Sequence, residues 1–215
     1  MERAAFVSAL TRRILATRPD GIARIAITGV DGAGKTSLAA ELAPLVAAHR
    51  PVIRASIDGF HNPRAIRHAR GRTSPEGFYR DSFNLAVFRQ ALLDPLAPGG
   101  TRRYRTAAYD HRTDSAVDME EQTAPANAVL LVDGIFLQRP ELDGIWDLTI
   151  FLDVPFAQTF ARMAVRDGSP ADEADPTNQR YRQGQQLYLE ECQPQARAHI
   201  LVDYARLDAP EIVRA

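Results

Sequence analysis

One lysine and one cysteine stand in this 215-residue chain. The single cysteine, Cys192, excludes an internal disulfide framework and a Cys-rich metal site, and its helical pattern reads as core. No apolar run approaches the roughly 20 residues of a membrane span. The N-terminus carries Glu2, Arg3, Arg12 and Arg13 without the apolar stretch of a signal peptide. The expectation is a soluble, cytoplasmic chain. Basic side chains number 26 against 27 acidic ones, and the net charge of −1 gives no field for bulk nucleic-acid binding. With 45% hydrophobic residues there is material for an ordinary core. No internal repeat or low-complexity segment breaks the chain.

The lone lysine is Lys35, and every other basic residue among the 26 is arginine. It sits in Gly29-Val30-Asp31-Gly32-Ala33-Gly34-Lys35-Thr36, which fits G-x-x-x-x-G-K-[ST]. An apolar run with Ile22, Ile25, Ala26 and Ile27 precedes the pattern and reads as a buried strand. Leu38, Leu42, Leu45 and Val46 follow at helical spacing. Strand, glycine loop and helix together make a phosphate-binding P-loop. Glycines let the backbone approach a phosphate, and the loop N–H groups and helix N-terminus present positive partial charge. Gly29, Asp31, Gly32, Ala33, Gly34, Lys35, Thr36 and Ser37 are the expected ATP-binding residues. Lys35 reaches for the β/γ-phosphates, and the Thr36 hydroxyl is a Mg²⁺ ligand. The bland alternative is a glycine turn before a helix with a solvated lysine.

Further strands are expected at Val52–Ile57, Ala128–Val132, Leu148–Leu152 and His199–Val202. Helices are expected over residues 2–17, from Asp81 or Ser82 to Leu93, from Phe156 to Arg166 and from Asn178 to Glu191. Strands alternating with helices imply an α/β fold: a P-loop NTPase-type parallel sheet with helices on both faces, three layers α/β/α. We expect one domain, 1–215. It divides into an N-terminal helix (1–18), the P-loop unit and second strand (22–60), a substrate-side insert (61–127) and the remaining core (128–205), with a lid near 162–177. Residues 101–123 read as a hairpin or an excursion over the site.

Ligands of open parallel sheets sit at the carboxyl ends of the strands. Asp58 ends the second strand and Asp133 the third, beside the P-loop that ends the first. Asp58 is the candidate base for an acceptor hydroxyl, and Asp133 a carboxylate near Mg²⁺. Each is also what an Asp-Gly turn would show. Arg162 and Arg166, spaced i,i+4, could close over a transferred phosphoryl group or face solvent. Tyr109, His111 and Arg112, with Arg102, Arg103 and Tyr104, make either a stacking patch for a substrate or a polar surface hairpin. His61 and His68 lack a metal-ligand spacing and read as loop residues.

From about Ile25 to Tyr204 the chain resembles the uridine kinase branch of the P-loop kinases, with its phosphoribulokinase and pantothenate kinase relatives. The resemblance rests on GVDGAGKT at 29–36, IDGFH at 57–61, YRDSF at 79–83, YDHR at 109–112, LLVDGIF at 130–136, FLDVP at 151–155, RMAVRD at 162–167 and RYRQGQQLYLEECQP at 180–194. It implies an ATP-dependent kinase acting on a hydroxyl of a small molecule, a nucleoside first, with Mg²⁺ as cofactor. Asp58 matches the acceptor-activating aspartate, Arg162 and Arg166 the lid arginines, and Tyr109, His111 and Arg112 the nucleoside-binding hairpin. Phe60, His61, Tyr79 and Asp81 fall on the acceptor side, Asp81 in place of a ribose-binding aspartate. Asp133 stands where the family usually has Glu. ATP and a small acceptor are the expected partners, with no nucleic acid or membrane, and a homo-oligomer is compatible. The alternatives are a kinase for a sugar, vitamin or cofactor precursor, and a P-loop switch or regulator that has no acceptor.

Overall fold

The apolar runs form the strands of one twisted sheet in the computed structural model, which describes all residues 1–215. These are β1 (Ala23–Gly29), β2 (Val52–Ser56), β3 (Val129–Gly134), β4 (Leu148–Asp153), β5 (Ile200–Asp203) and β6 (Glu211–Arg214). Their order is β2-β3-β1-β4-β5-β6. The first five run parallel, and β6 adds an antiparallel edge to β5. Both β1 and β3 are buried along their whole length, as a parallel sheet covered on both faces requires.

Successive side chains of a strand point to opposite faces, and the core divides accordingly. Ile25 and Ile27 join α1 (Arg3–Ala16) and α2 (Lys35–Ala47) through Phe6, Leu10, Leu38 and Leu42. Ala26, Leu130 and Val132 face the other layer, where α3 (Pro75–Asp81) and α5 (Gln179–Cys192) bring Phe78, Tyr79 and Tyr188 against Phe136. A fifth helix, α4 (Phe156–Asp167), follows β4 and lies over the P-loop. The three-layer α/β/α expectation holds.

Two elements differ from the sequence reading. The helix expected from Asp81 or Ser82 starts at Leu85 instead, because a separate short helix, α3, ends at Asp81. Ser74 accepts the Gly77 N–H and Pro75 opens α3, a strong start signal seven residues earlier. The chain breaks at 82–84, where Phe83 bridges to His61. Asn84 then caps a new turn, Leu85–Phe88, that widens into a π-turn over Arg89–Leu93. The edge strand β6 was not expected; Ile212 and Val213 alone make too short an apolar signal. Residues 101–123 do form a hairpin, with Arg103–Tyr104 paired to Gln122–Thr123 and Tyr109–Asp110 to Ser115–Ala116.

Candidate active site

Sheet register assembles the site. Ile27 on β1 and Ser56 on β2 both lie level with Asp133 on β3. The P-loop starts two residues beyond Ile27, and Asp58 lies two beyond Ser56, so all three converge at the carboxyl edge. They line a cleft of about 850 Å³.

Lys35 is the first residue of α2 and is buried. Its ammonium donates to the Val30 carbonyl at 2.7 Å, which folds the side chain over its own loop. Burial pushes its pKa below that of a free lysine, while the carboxylates of Asp31, Asp58 and Asp133 pull the other way. Gly32 has φ +72°, and a Cβ there would sit 2.5 Å from the Thr159 carbonyl of α4. The Asp31 N–H donates to Gln185 Oε1 at 2.5 Å, so α5 also fixes the loop. Ala33 is buried, and Ser37 opens to the cleft beside Thr36.

The Thr36 hydroxyl donates to Asp133 Oδ2 at 2.7 Å. Asp133 is 3% exposed, and Arg54 Nη2 lies 3.5 Å from its other oxygen. A hydroxyl and a carboxylate side by side are hard oxygen donors. No group of three or more His, Cys, Asp or Glu side chains is placed to hold a metal ion on its own. This set fits Mg²⁺, which takes one or two protein oxygens and completes its shell with phosphates and water.

Solvent reaches Asp58 from the cleft, but protein crowds its carboxyl. Desolvation holds its pKa above the ordinary carboxylate value, with Asp133 adding to the rise and Lys35, His111 and Arg166 opposing it. Asp31 is raised for the same first reason. Arg162 and Arg166 both reach the cleft wall. The Arg162 guanidinium holds three carbonyls, those of Ala33 (3.3 Å), Tyr204 (3.1 Å) and Ala205 (2.7 Å). Arg166 pairs with its neighbour Asp167 at 2.7 Å and remains largely exposed. Arg162 thus braces the loop, and Arg166 is the freer cation.

The acceptor-side residues divide. His61 Nδ1 donates to the Asp58 carbonyl at 2.8 Å, and its ring packs 4.5 Å from His111 and 4.6 Å from Phe83. Burial drives its pKa down to about 4. The hairpin root is tied to the Asp58 turn, where the Ala108 N–H donates to the Gly59 carbonyl at 2.8 Å. Tyr109 donates to Asp114 at 3.0 Å, and Arg112 is exposed on the hairpin tip. Of the expected acceptor residues only Asp58 lines the cleft; His61 and the hairpin residues Tyr109, His111 and Arg112 stand outside its lining, and three others are held elsewhere. Phe60 is fully buried against Phe88. Tyr79 is turned inward by α3, with its hydroxyl 3.2 Å from Cys192 Sγ. Asp81 pairs with Arg70 at 2.8 Å and does not line the cleft. Sequence reasoning also missed Gln185, Arg54, Arg3 and Tyr204, whose roles arise from distant segments and leave no local pattern.

A five-stranded parallel core in this order, a P-loop at its carboxyl edge and two strand-end carboxylates facing it define a P-loop kinase. The chain belongs to the phosphoribulokinase/uridine kinase family, whose model matches residues 24–172. Among solved structures it is similar to one from Bacillus stearothermophilus described as a "possible uridine kinase" (25% identity, TM-score 0.74, covering 94% of this chain and 100% of that one). It is also similar to a candidate fructose transport system kinase from Silicibacter sp. TM1040 (27% identity, TM-score 0.64, 84% and 93%). The fold extends to D-glycerate 3-kinase from Cryptococcus neoformans var. grubii (12% identity, TM-score 0.61, 97% and 99%). The protein is therefore a P-loop small-molecule kinase, of a family whose kinase activity implies ATP. No helix is long and apolar enough to cross a membrane.

Proposed function

We propose that the protein transfers the γ-phosphate of ATP to a hydroxyl of a nucleoside, acting in the cytoplasm with Mg²⁺. The observation that carries the reading is Asp58, a crowded carboxylate at the strand end beside the P-loop lysine. In the step we propose, the acceptor hydroxyl gives its proton to Asp58 as its oxygen bonds the γ-phosphorus. The bond from that phosphorus to the β-bridging oxygen breaks, and ADP leaves. Phosphoryl transfer asks mainly for positioning and charge, and the loop N–H groups with Lys35 hold the phosphates. Arg166 is the cation placed to meet charge on the transferred group. Thr36 and Asp133 would hold Mg²⁺, which supplies neutralisation of phosphate charge when bound. The hairpin residues Tyr109, His111 and Arg112, with His61, form the acceptor side in this reading.

One observation favours a second acceptor class. Asp81, the expected ribose contact, is engaged by Arg70, and Phe60 and Tyr79 lie in the core. A sugar or sugar acid needs none of these contacts. The test is ADP release from Mg-ATP across uridine, cytidine, fructose, glycerate and pantothenate, with Lys35→Ala as the dead control. Stimulation by uridine or cytidine supports the nucleoside reading. Stimulation only by fructose or glycerate replaces it with the second. Release that no acceptor changes removes the phosphotransfer reading.

A further inference from the structure

Residues before and after the stretch that matches the family model both reach the cleft, Arg3 from one side and Tyr204, Leu207 and Asp208 from the other. Sheet order gives that meeting a direction. Asp58 follows β2, two strands to one side of β1, and Tyr204 follows β5, two strands to the other side. A nucleotide laid over the P-loop with its terminal phosphate at Asp58 would direct its base toward the loop after β5, where Leu207 is exposed to the cleft. That orientation rests on the donor reading above.

At this end Arg3 of α1 forks onto Glu41 of α2, with Nε 3.2 Å from Oε1 and Nη2 2.5 Å from Oε2. The same Nη2 donates to the Tyr204 hydroxyl at 2.9 Å, and Nη1 donates to the Leu207 carbonyl at 2.6 Å. Its guanidinium lies 5.6 Å from the Tyr204 ring centroid, over the ring. That ring in turn lies 3.2 Å from where a Cβ on Gly34 would be. The Met1 ammonium donates to the Pro210 carbonyl at 3.0 Å and clasps the same loop. Arg3, Tyr204 and Leu207 all line the cleft. A planar fork spends four donor contacts here on two separate segments, α2 and the loop after β5, a task for which lysine's point charge is a poor substitute.

We propose that Arg3 is a positioning residue for the donor nucleotide. By tying the buried Tyr204 and the Leu207 carbonyl to α2, it fixes the loop whose exposed Leu207 walls the cleft on the side of the base. It therefore sets how far the site prefers a nucleotide over bare polyphosphate. The phosphate cradle is made without it, from Lys35, Thr36 and the loop N–H groups.

Calorimetric titration of the full chain with ADP and with inorganic pyrophosphate separates the two contributions without any turnover. Arg3→Ala should weaken ADP about tenfold while leaving pyrophosphate within about twofold, as loss of one or two net hydrogen bonds at the wall predicts. Arg3→Lys should stay defective toward ADP, and Glu41→Gln should shift it in the same direction by less. In turnover, KM for ATP rises while kcat and the acceptor KM hold. Unchanged ADP affinity in Arg3→Ala overturns the proposal, and so does an equal loss for ADP and pyrophosphate, which would mean that the loop itself has collapsed. If Arg3→Ala does not fold, Glu41→Gln carries the same comparison. Failure of the nucleoside reading shows separately, as wild-type protein that binds ADP yet phosphorylates no nucleoside.

Discussion

Gly32→Ala against Gly144→Ala measures how firmly α4 is seated on the P-loop. Both glycines have φ +72°, so both replacements force an alanine into the left-handed region. That conformation costs a Cβ-bearing residue about 1.5 kcal/mol. At Gly144 nothing lies within 4 Å of the new methyl, so the backbone term stands alone. At Gly32 the methyl meets the Thr159 carbonyl at 2.5 Å, where ordinary contact begins at 3.4 Å. The carbonyl has to retreat about 0.9 Å, and overpacking of this kind adds roughly 2 kcal/mol. For a chain of this size we expect Tm to fall by ~5 °C in Gly144→Ala and ~10 °C in Gly32→Ala. Thr159 shares α4 with Arg162, which bonds the Ala33 carbonyl. The retreat should therefore weaken ADP binding in Gly32→Ala only. Scanning calorimetry with and without ADP reads both effects. Equal losses of Tm with equal ADP affinity would refute the close approach of α4, and with it the pre-positioning of Arg162 and Arg166.

Asp58→Asn should bind ATP normally and lose turnover by roughly 10²–10⁴-fold, the usual worth of a positioned base. Because the protein crowding the carboxyl desolvates it and raises the Asp58 pKa, the acidic limb of kcat/KM should lie above the ordinary carboxylate range. The raised pKa also means that the charged form costs stability at neutral pH, so Asp58→Asn should not lower Tm there; a clear loss of Tm would contradict this environment. His61, with its pKa lowered to about 4, binds fewer protons folded than unfolded between pH 4 and 6.5. It therefore contributes stability that is full above that window and lost as pH falls through it. Urea midpoints of His61→Gln at pH 5 and pH 7 should show a smaller drop than wild type, and an equal drop would exclude this role. Asp133→Asn should raise the Mg²⁺ concentration needed for half-maximal turnover several-fold, since one of two hard oxygens loses its charge; an unchanged Mg²⁺ titration would take Asp133 out of the metal site.

The donor half of the site was legible because its chemistry is local. A P-loop is eight consecutive residues whose backbone does the binding, and the strand before it and the helix after it carry their own periodicity. Asp58 and Asp133 were legible for a related reason, because a carboxylate that ends a buried strand has only the sheet edge to occupy. The acceptor half depends on which way a helix is turned. Ser74 and Pro75 start α3 early, so Tyr79 points into Phe136 and Tyr188 and leaves the cleft. The same early start ends the helix at Asp81, where the carboxylate meets Arg70. One capped short helix, Pro75–Asp81, thus carries both residues away from the cleft. The bond from Asp31 to Gln185 and the fork of Arg3 onto Tyr204 join segments 154 and 201 residues apart. No spacing rule spans such distances. Composition hid Arg3 further, because in a chain whose basic residues are almost all arginine, one more arginine on an N-terminal helix carries no signal. Lys35 was the reverse case, conspicuous because the rest of the chain has no lysine.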